Sequence, residues 1–315
     1  MKSRLCLCCL YLLAPFLIHC AIINSSRTPD ELILFAAIGT TPFTDTIYTI
    51  QTDGSYPKKL LTPQGKRSYL HASGYSLKQG LTVSIHQSNI NGQVEDHIFV
   101  YRPSEDEWRR LVSKAGLEGE SYMSPDGKYV AFAFAPQSQL RVWLANLETN
   151  QIQKLTEDDS EQNSWDRDFS WRLDSREIIF IRSWLGKGST TSALLRIPLP
   201  GGKPIPLLER RPRIGAACYS PNGEQVAVFA EAGLEVLDVE GQTRAVILPW
   251  NKLPDRGFQN GGLCWSAKQN ILAFGMYNNK TKAHEIWTVS RDGSNAKAIY
   301  SSKDTPIKVT SFIRQ

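Results

Sequence analysis

Tyr122-Met123-Ser124-Pro125-Asp126-Gly127-Lys128-Tyr129-Val130-Ala131-Phe132 reads as a strand, a tight turn and a second strand. Pro125 sets φ for the first turn position, and Asp126-Gly127 supplies a side-chain acceptor and a residue that tolerates φ > 0. Val130-Ala131-Phe132 is the apolar, β-favouring run that follows such a hairpin. Arg141 to Leu147 and Gln153 to Thr156 add two further strands.

The unit recurs. Aligned on Asp126, the hairpin returns around Asp174 (Phe169 to Phe180), Asn222 (Cys218 to Val228), Lys268 (Cys264 to Phe274) and, upstream, Lys78 (Gly74 to Val83). The turn positions 78, 126, 174, 222 and 268 are spaced by 48, 48, 48 and 46 residues. The outer strands repeat as well, as Ile47 to Thr62, His97 to Val112, Leu194 to Leu208, Leu234 to Val239 and Glu285 to Val289. Four strands per unit, Gly, Asp or Asn turns between them and no amphipathic helix predict an all-β propeller. Leu32 to Ala36 and Ile47 to Thr62 make a sixth blade without an innermost strand, and Ile307 to Ile313 is a strand left over at the other end. Pairing the two closes a six-bladed ring and removes its open edge. The expected blades are about 32–62 with 307–313, 69–113, 117–157, 165–209, 213–248 and 258–302, all within one domain over 32–315.

Residues 1–23 stand apart from this pattern. Lys2 and Arg4 precede an apolar run from Leu5 to Ile18, the format of a secretory signal, with a short linker over 24–31. An uncleaved membrane tether is the alternative. Leu17-Ile18-His19-Cys20 resembles a lipobox, with His19 where that pattern has a small residue, so Cys20 is the lipidation candidate. Four of the six cysteines lie at 6, 8, 9 and 20, leaving Cys218 and Cys264 as two buried thiols rather than a disulfide framework. Loss of the leader takes the formal charge from +5 to +3, and no basic stripe with interleaved aromatics points to nucleic acid.

The repeats resemble those of periplasmic TolB-like propellers. Ser124-Pro125-Asp126-Gly127-Lys128, Ser220-Pro221-Asn222-Gly223, Ile286-Trp287 and Asp292-Gly293-Ser294 carry the likeness, which spans Leu32 to Gln315. It implies a periplasmic or other extracytoplasmic compartment and binding of envelope proteins through the propeller face; the chain itself is expected to be a monomer. TolB-like proteins carry an α/β domain before the propeller; this chain reaches its first blade soon after the leader, so roles of that domain do not carry over.

Function in a propeller resides in the channel and its mouths. Counting back from each turn anchor at every second residue puts Tyr122, Ser170, Cys218 and Cys264, then Glu120 and Asp168, then Glu118 and Asp166 on the channel face. Met123, Trp171, Tyr219 and Trp265 fall on the opposite face, between blades. Glu118, Glu120, Asp166 and Asp168 would then converge at one mouth and suit Ca²⁺ or a cationic partner group. Arg210, Arg211 and Arg213, in the loop entering the fifth blade, would receive an acidic patch. No Gly-x-Ser-x-Gly elbow, His-x-x-x-His or Cys-x-x-Cys pair supports hydrolase or zinc chemistry in the body. The sequence thus predicts a protein-binding or scaffolding module; the alternative is a channel-site hydrolase or lyase acting on envelope sugars or peptides with His71 and the carboxylates.

Overall fold

In a computed structural model of the chain, the described residues are 31–39, 44–65, 67–88, 94–112, 117–136, 139–254 and 261–314. The leader, Cys20 and nearly all of the linker lie outside them. The described chain is a ring of six four-stranded antiparallel blades. Their inner strands, in order round the ring, are Ile307–Arg314, Arg67–Ser76, Leu117–Met123, Ser164–Trp171, Ala217–Tyr219 and Leu263–Trp265.

The first blade takes its inner strand from the far end of the chain. Ile307–Arg314 pairs antiparallel with Glu31–Ala37, with Ile33 opposite Phe312 and Ala37 opposite Ile307. The closing strand also touches the second blade in parallel, Arg314 against Ser76, and the Leu77 N–H donates to the Arg314 carbonyl at 3.0 Å. The ring therefore has no free inner edge at the junction, the arrangement expected from the unpaired strands at the two ends of the sequence.

The repeated turn is fixed by its own polar atoms. Ser124 Oγ accepts from the Tyr129 N–H (2.9 Å) and donates to Asp126 Oδ1 (2.6 Å), while the Lys128 N–H donates to the same carboxylate oxygen at 3.0 Å. Ser220 and Asn222 reproduce this at 3.0, 2.7 and 3.2 Å. Gly127 and Gly223 sit at φ 73° and 71°, where a side chain is disfavoured. In the fourth blade Ser175 holds that conformation at φ 61°, and its Oγ accepts from the Asp126 N–H at 3.2 Å, tying one turn to the next.

Packing between blades uses the large residues just before each turn. Met123, Trp171, Tyr219 and Trp265 are all buried, each against the sheet of the preceding blade. The Trp171 indole N–H donates to the Tyr122 carbonyl at 2.9 Å. Such contacts repeat from blade to blade and leave the other strand face for the channel.

Candidate functional site

The channel face does not follow a strict two-residue alternation. In the third blade Glu118 lies opposite Phe134 and Ser121 opposite Phe132, so three steps on the inner strand match two on its neighbour. The fourth blade has the same irregularity, Arg167 opposite Ile181 and Ser170 opposite Ile179, with Asp168 at φ 51°. The second blade shifts between Ser73 and Ser76 and again between Tyr69 and His71. Each such bulge inserts one residue and exchanges the two faces of the strand beyond it.

The expected convergence of Glu118, Glu120, Asp166 and Asp168 is therefore split. Glu120 and Asp168 do meet. Lys308, from the closing strand, reaches across from the first blade, pairs with Glu120 and stands 3.4 Å from Asp168 Oδ1. Arg167 pairs with the other oxygen of Asp168. Glu120 also accepts from the Tyr122 hydroxyl and the Asp168 N–H, both at 3.3 Å. The side chain of Glu118 lies outside what is described.

Asp166 goes elsewhere. It is buried between the third and fourth blades, where Arg182 donates to both its oxygens at 2.7 and 2.9 Å and Thr156 Oγ1 donates at 2.6 Å. Arg141, with no exposed surface, lies 3.9 Å from it. Asp158 and Asp159 join the same network through Arg141 at 3.6 Å and Arg182 at 3.8 Å. The basic loop does not form one patch either. Arg210 pairs with Glu161 and lies over the Trp184 ring at 4.5 Å, whereas Arg211 Nε donates to the Glu209 carbonyl at 3.1 Å and Arg213 is exposed.

At the channel waist the charges settle one another. Burial opposes ionisation of Asp168, but Lys308 and Arg167 outweigh it and hold its carboxyl below the usual carboxylate range. Burial likewise opposes the Lys308 ammonium, yet Glu120 and Asp168 hold its pKa above the ordinary lysine value. An ammonium thus occupies the position between two carboxylates that a divalent cation would take. Among the described residues no group of three or more His, Cys, Asp or Glu side chains could hold a metal ion.

His71 completes the waist. Its ring lies 4.7 Å from that of Tyr122, it is 3% exposed, and neither ring nitrogen has a hydrogen-bond partner. Burial first, and then Lys308, push its pKa well below the ordinary value, partly opposed by Asp168. Burial and the charges of Glu120 and Asp168 push the Tyr122 hydroxyl well above its usual value. Sequence reasoning set His71 beside the carboxylates only in the alternative of a channel-site enzyme, and it missed Lys308. The signal for Lys308 was a single cation in the otherwise apolar or hydroxylated run Ile307 to Ile313.

Above the waist the channel holds a cavity of about 80 Å³ that runs from Asp168 to the turn residues Leu173, Pro221 and Ala267. Cys218 and Cys264 line it as buried free thiols. Its hydroxyl residues include Ser73, Ser170, Thr310 and Ser311, and its apolar edges include Trp171, Trp265 and Phe312.

No protein-family model matches this sequence, and no curated protein does. Solved structures do. TolB from Acinetobacter baumannii superposes with a TM-score of 0.67 at 17% identity, over 90% of this chain and 66% of that one. The likeness is one of fold. This chain thus spans just under two thirds of that TolB chain. A chain of the nidogen/laminin complex matches with a TM-score of 0.62 at 12% identity, over 90% of this chain and 97% of that one. Oligogalacturonate lyase in complex with manganese matches at 0.53 and 11%, over 86% and 74%. The protein is a six-bladed propeller similar to that of TolB, at an identity that carries the architecture and nothing finer.

Proposed function

We propose that this chain is an exported protein-binding propeller of a bacterial cell envelope, and that its partner docks at the turn-side mouth of the channel. The observation that carries this reading is the bridge of Lys308 to Glu120 and Asp168 across the waist. Beneath the cavity Glu120, Asp168, Lys308 and Arg167 pair with one another, so the turn-side half offers a recess lined mainly by hydroxyls, thiols and aromatic edges. Recesses of this kind suit an anchoring side chain from a partner. The leader supports export, and a TolB-like fold is consistent with binding through the propeller face. A photoreactive residue at Leu173, which lines the recess and is 39% exposed, should give partner adducts in envelope preparations. The same probe at Ile152, 40% exposed on the outer strand of the third blade, should not. No adduct at 173, or the same adducts at both positions, sinks the proposal.

One observation favours a second reading, the channel-site enzyme. A neutral imidazole with two unpartnered nitrogens beside Tyr122 and Lys308 is the composition of a general acid–base site. That reading requires turnover of an envelope sugar or peptide that is abolished in His71→Ala while the Leu173 adducts persist.

A further inference from the structure

Two turns of this chain are built alike and differ at one residue. Asp53-Gly54-Ser55-Tyr56 joins the third and outermost strands of the first blade, and Asp292-Gly293-Ser294-Asn295 does so in the sixth. The Ser55 N–H donates to Asp53 Oδ1 at 2.8 Å and its hydroxyl to the same oxygen at 2.7 Å; the Ser294 bonds to Asp292 measure 2.9 and 2.6 Å. The Gln51 and Ser290 N–H groups close the two turns on the Ser55 and Ser294 carbonyls at 3.1 and 2.9 Å. Gly54 and Gly293 stand at φ 90° and 83°, Tyr56 and Asn295 at φ 51° and 54°. Asparagine takes that backbone readily, whereas a bulky ring there is an outlier. Pro57 adds to the strain, because a residue before proline is pushed towards extended backbone. Packing does not offset it, since Tyr56 is 78% exposed. Asn295 shows that the turn itself does not call for tyrosine.

We propose that Tyr56, with Lys58 and Lys59, is a docking surface for an acidic segment of a protein partner, on the outer rim of the first blade and apart from the recess. Strain held at an exposed side chain points to a role outside the fold. Tyrosine is among the residues that carry binding energy at interfaces, with an apolar ring and a polar tip. Tyr56-Pro57-Lys58-Lys59 is an unbroken exposed run, and neither lysine is in an ion pair among the described residues. The carboxylate of the turn, Asp53, is engaged by Ser55. Two uncompensated ammonium groups beside an exposed ring are complementary to carboxylates that flank an apolar side chain. Lysines on an outermost strand also deter strand pairing, which accounts for Lys58 and Lys59 but not for Tyr56. An anionic bilayer is the poorer match, because lipid-binding patches gather about four to eight Lys or Arg.

The test uses the full chain and a fluorescent peptide of three Glu-Leu repeats, followed by anisotropy at low and high salt. Tyr56→Asn should raise the thermal midpoint by about 2 °C as the strain is released. The same variant should weaken peptide binding at least about 10-fold. Asn295→Tyr, the reverse exchange in the matching turn, should lower the midpoint and leave the peptide bound as before. Lys58→Ser with Lys59→Ser should weaken binding at low salt and remove its salt dependence. No binding by the parent, equal binding by Tyr56→Asn, or a midpoint that falls in that variant overturns the proposal. Binding to phosphatidylglycerol vesicles in place of the peptide overturns it as well. The peptide reports on the rim and the Leu173 adducts on the recess, so the two proposals fail separately.

Discussion

Asp166 and Asp168 are two residues apart on one strand and differ in everything that follows from position. Strict alternation puts them on the same face. The bulge between Arg167 and Ser170, with Asp168 at φ 51°, sends Asp166 into the seam between the third and fourth blades and Asp168 into the channel. Both are buried and both are paired with cations. Asp166 is held by residues of its own and the preceding blade, Arg182, Thr156 and Arg141. Asp168 is held by Lys308, 140 residues away on the strand that closes the ring. The first network is local stitching between neighbours. The second spans the channel and depends on ring closure.

This contrast predicts unequal damage. Lys308→Met leaves Glu120 and Asp168 facing each other with only Arg167 as a cation, and breaking a buried pair from one side typically costs about 3–5 kcal/mol. Asp166→Asn should cost about 2 kcal/mol. The loss is smaller because Arg182 retains Asp159 at 3.8 Å and Arg141 retains Asp158 at 3.6 Å. Chemical denaturation of the two variants checks the order. Adding Glu120→Gln to Lys308→Met should restore most of the loss, because Asp168 keeps Arg167 as its partner and no carboxylate is left unpaired. If Asp166→Asn proves the more damaging, the seam and not the waist holds the ring.

The ring itself was legible in the sequence, because turn chemistry repeats where the backbone must turn. Ser124-Pro125-Asp126-Gly127 and its copies kept a step of 48 residues over three intervals, and the left-over strand Ile307 to Ile313 took its expected place in the first blade. Glu120 and Asp168 were also found, since both sit close to their anchors. Asp166 was placed on the wrong face because a bulge leaves no mark in a hydrophobic pattern, and its φ > 0 residue here is Asp rather than Gly. Lys308 was missed for a different reason. Its partners are set by closure of the ring, a relation between chain ends that no local spacing encodes. His71 lies seven residues before its turn anchor and beyond the register shift between Ser73 and Ser76, which turns an odd count from the anchor into a position at the waist.

The waist should also respond to pH, in two separate windows. His71 is held neutral, with its folded pKa well below the ordinary 6.5. Between 6.5 and that lower value the unfolded chain binds a proton that the folded chain does not, so stability is full above 6.5 and falls as pH drops through this window. The slope approaches about 1.4 kcal/mol per pH unit. His71→Phe keeps a ring against Tyr122 and should flatten the slope from pH 6.5 downward. Asp168 acts in a lower window. Its folded pKa is depressed, so its contribution is present above the unfolded carboxylate value near 3.9 and is lost as pH falls through the folded one. Stability curves of the two proteins that stay parallel between pH 6.5 and 4.5 would show that the imidazole is not buried neutral at the waist.

The smallest effect belongs to the rim. Arg210 pairs with Glu161, donates to Thr191 Oγ1 at 2.7 Å and stacks over Trp184 at 4.5 Å. Its side chain is nevertheless 39% exposed and that of Glu161 55%, and both ions keep much of their hydration in the folded state. Water and salt screen such a pair, and the ordering of two long side chains offsets most of the attraction that remains. Arg210→Ala should therefore leave the thermal midpoint unchanged, with the same result at low and high salt. A midpoint that falls by several degrees, and falls less at high salt, would mean that the outer rim carries charge coupling comparable to that of the seam beneath it.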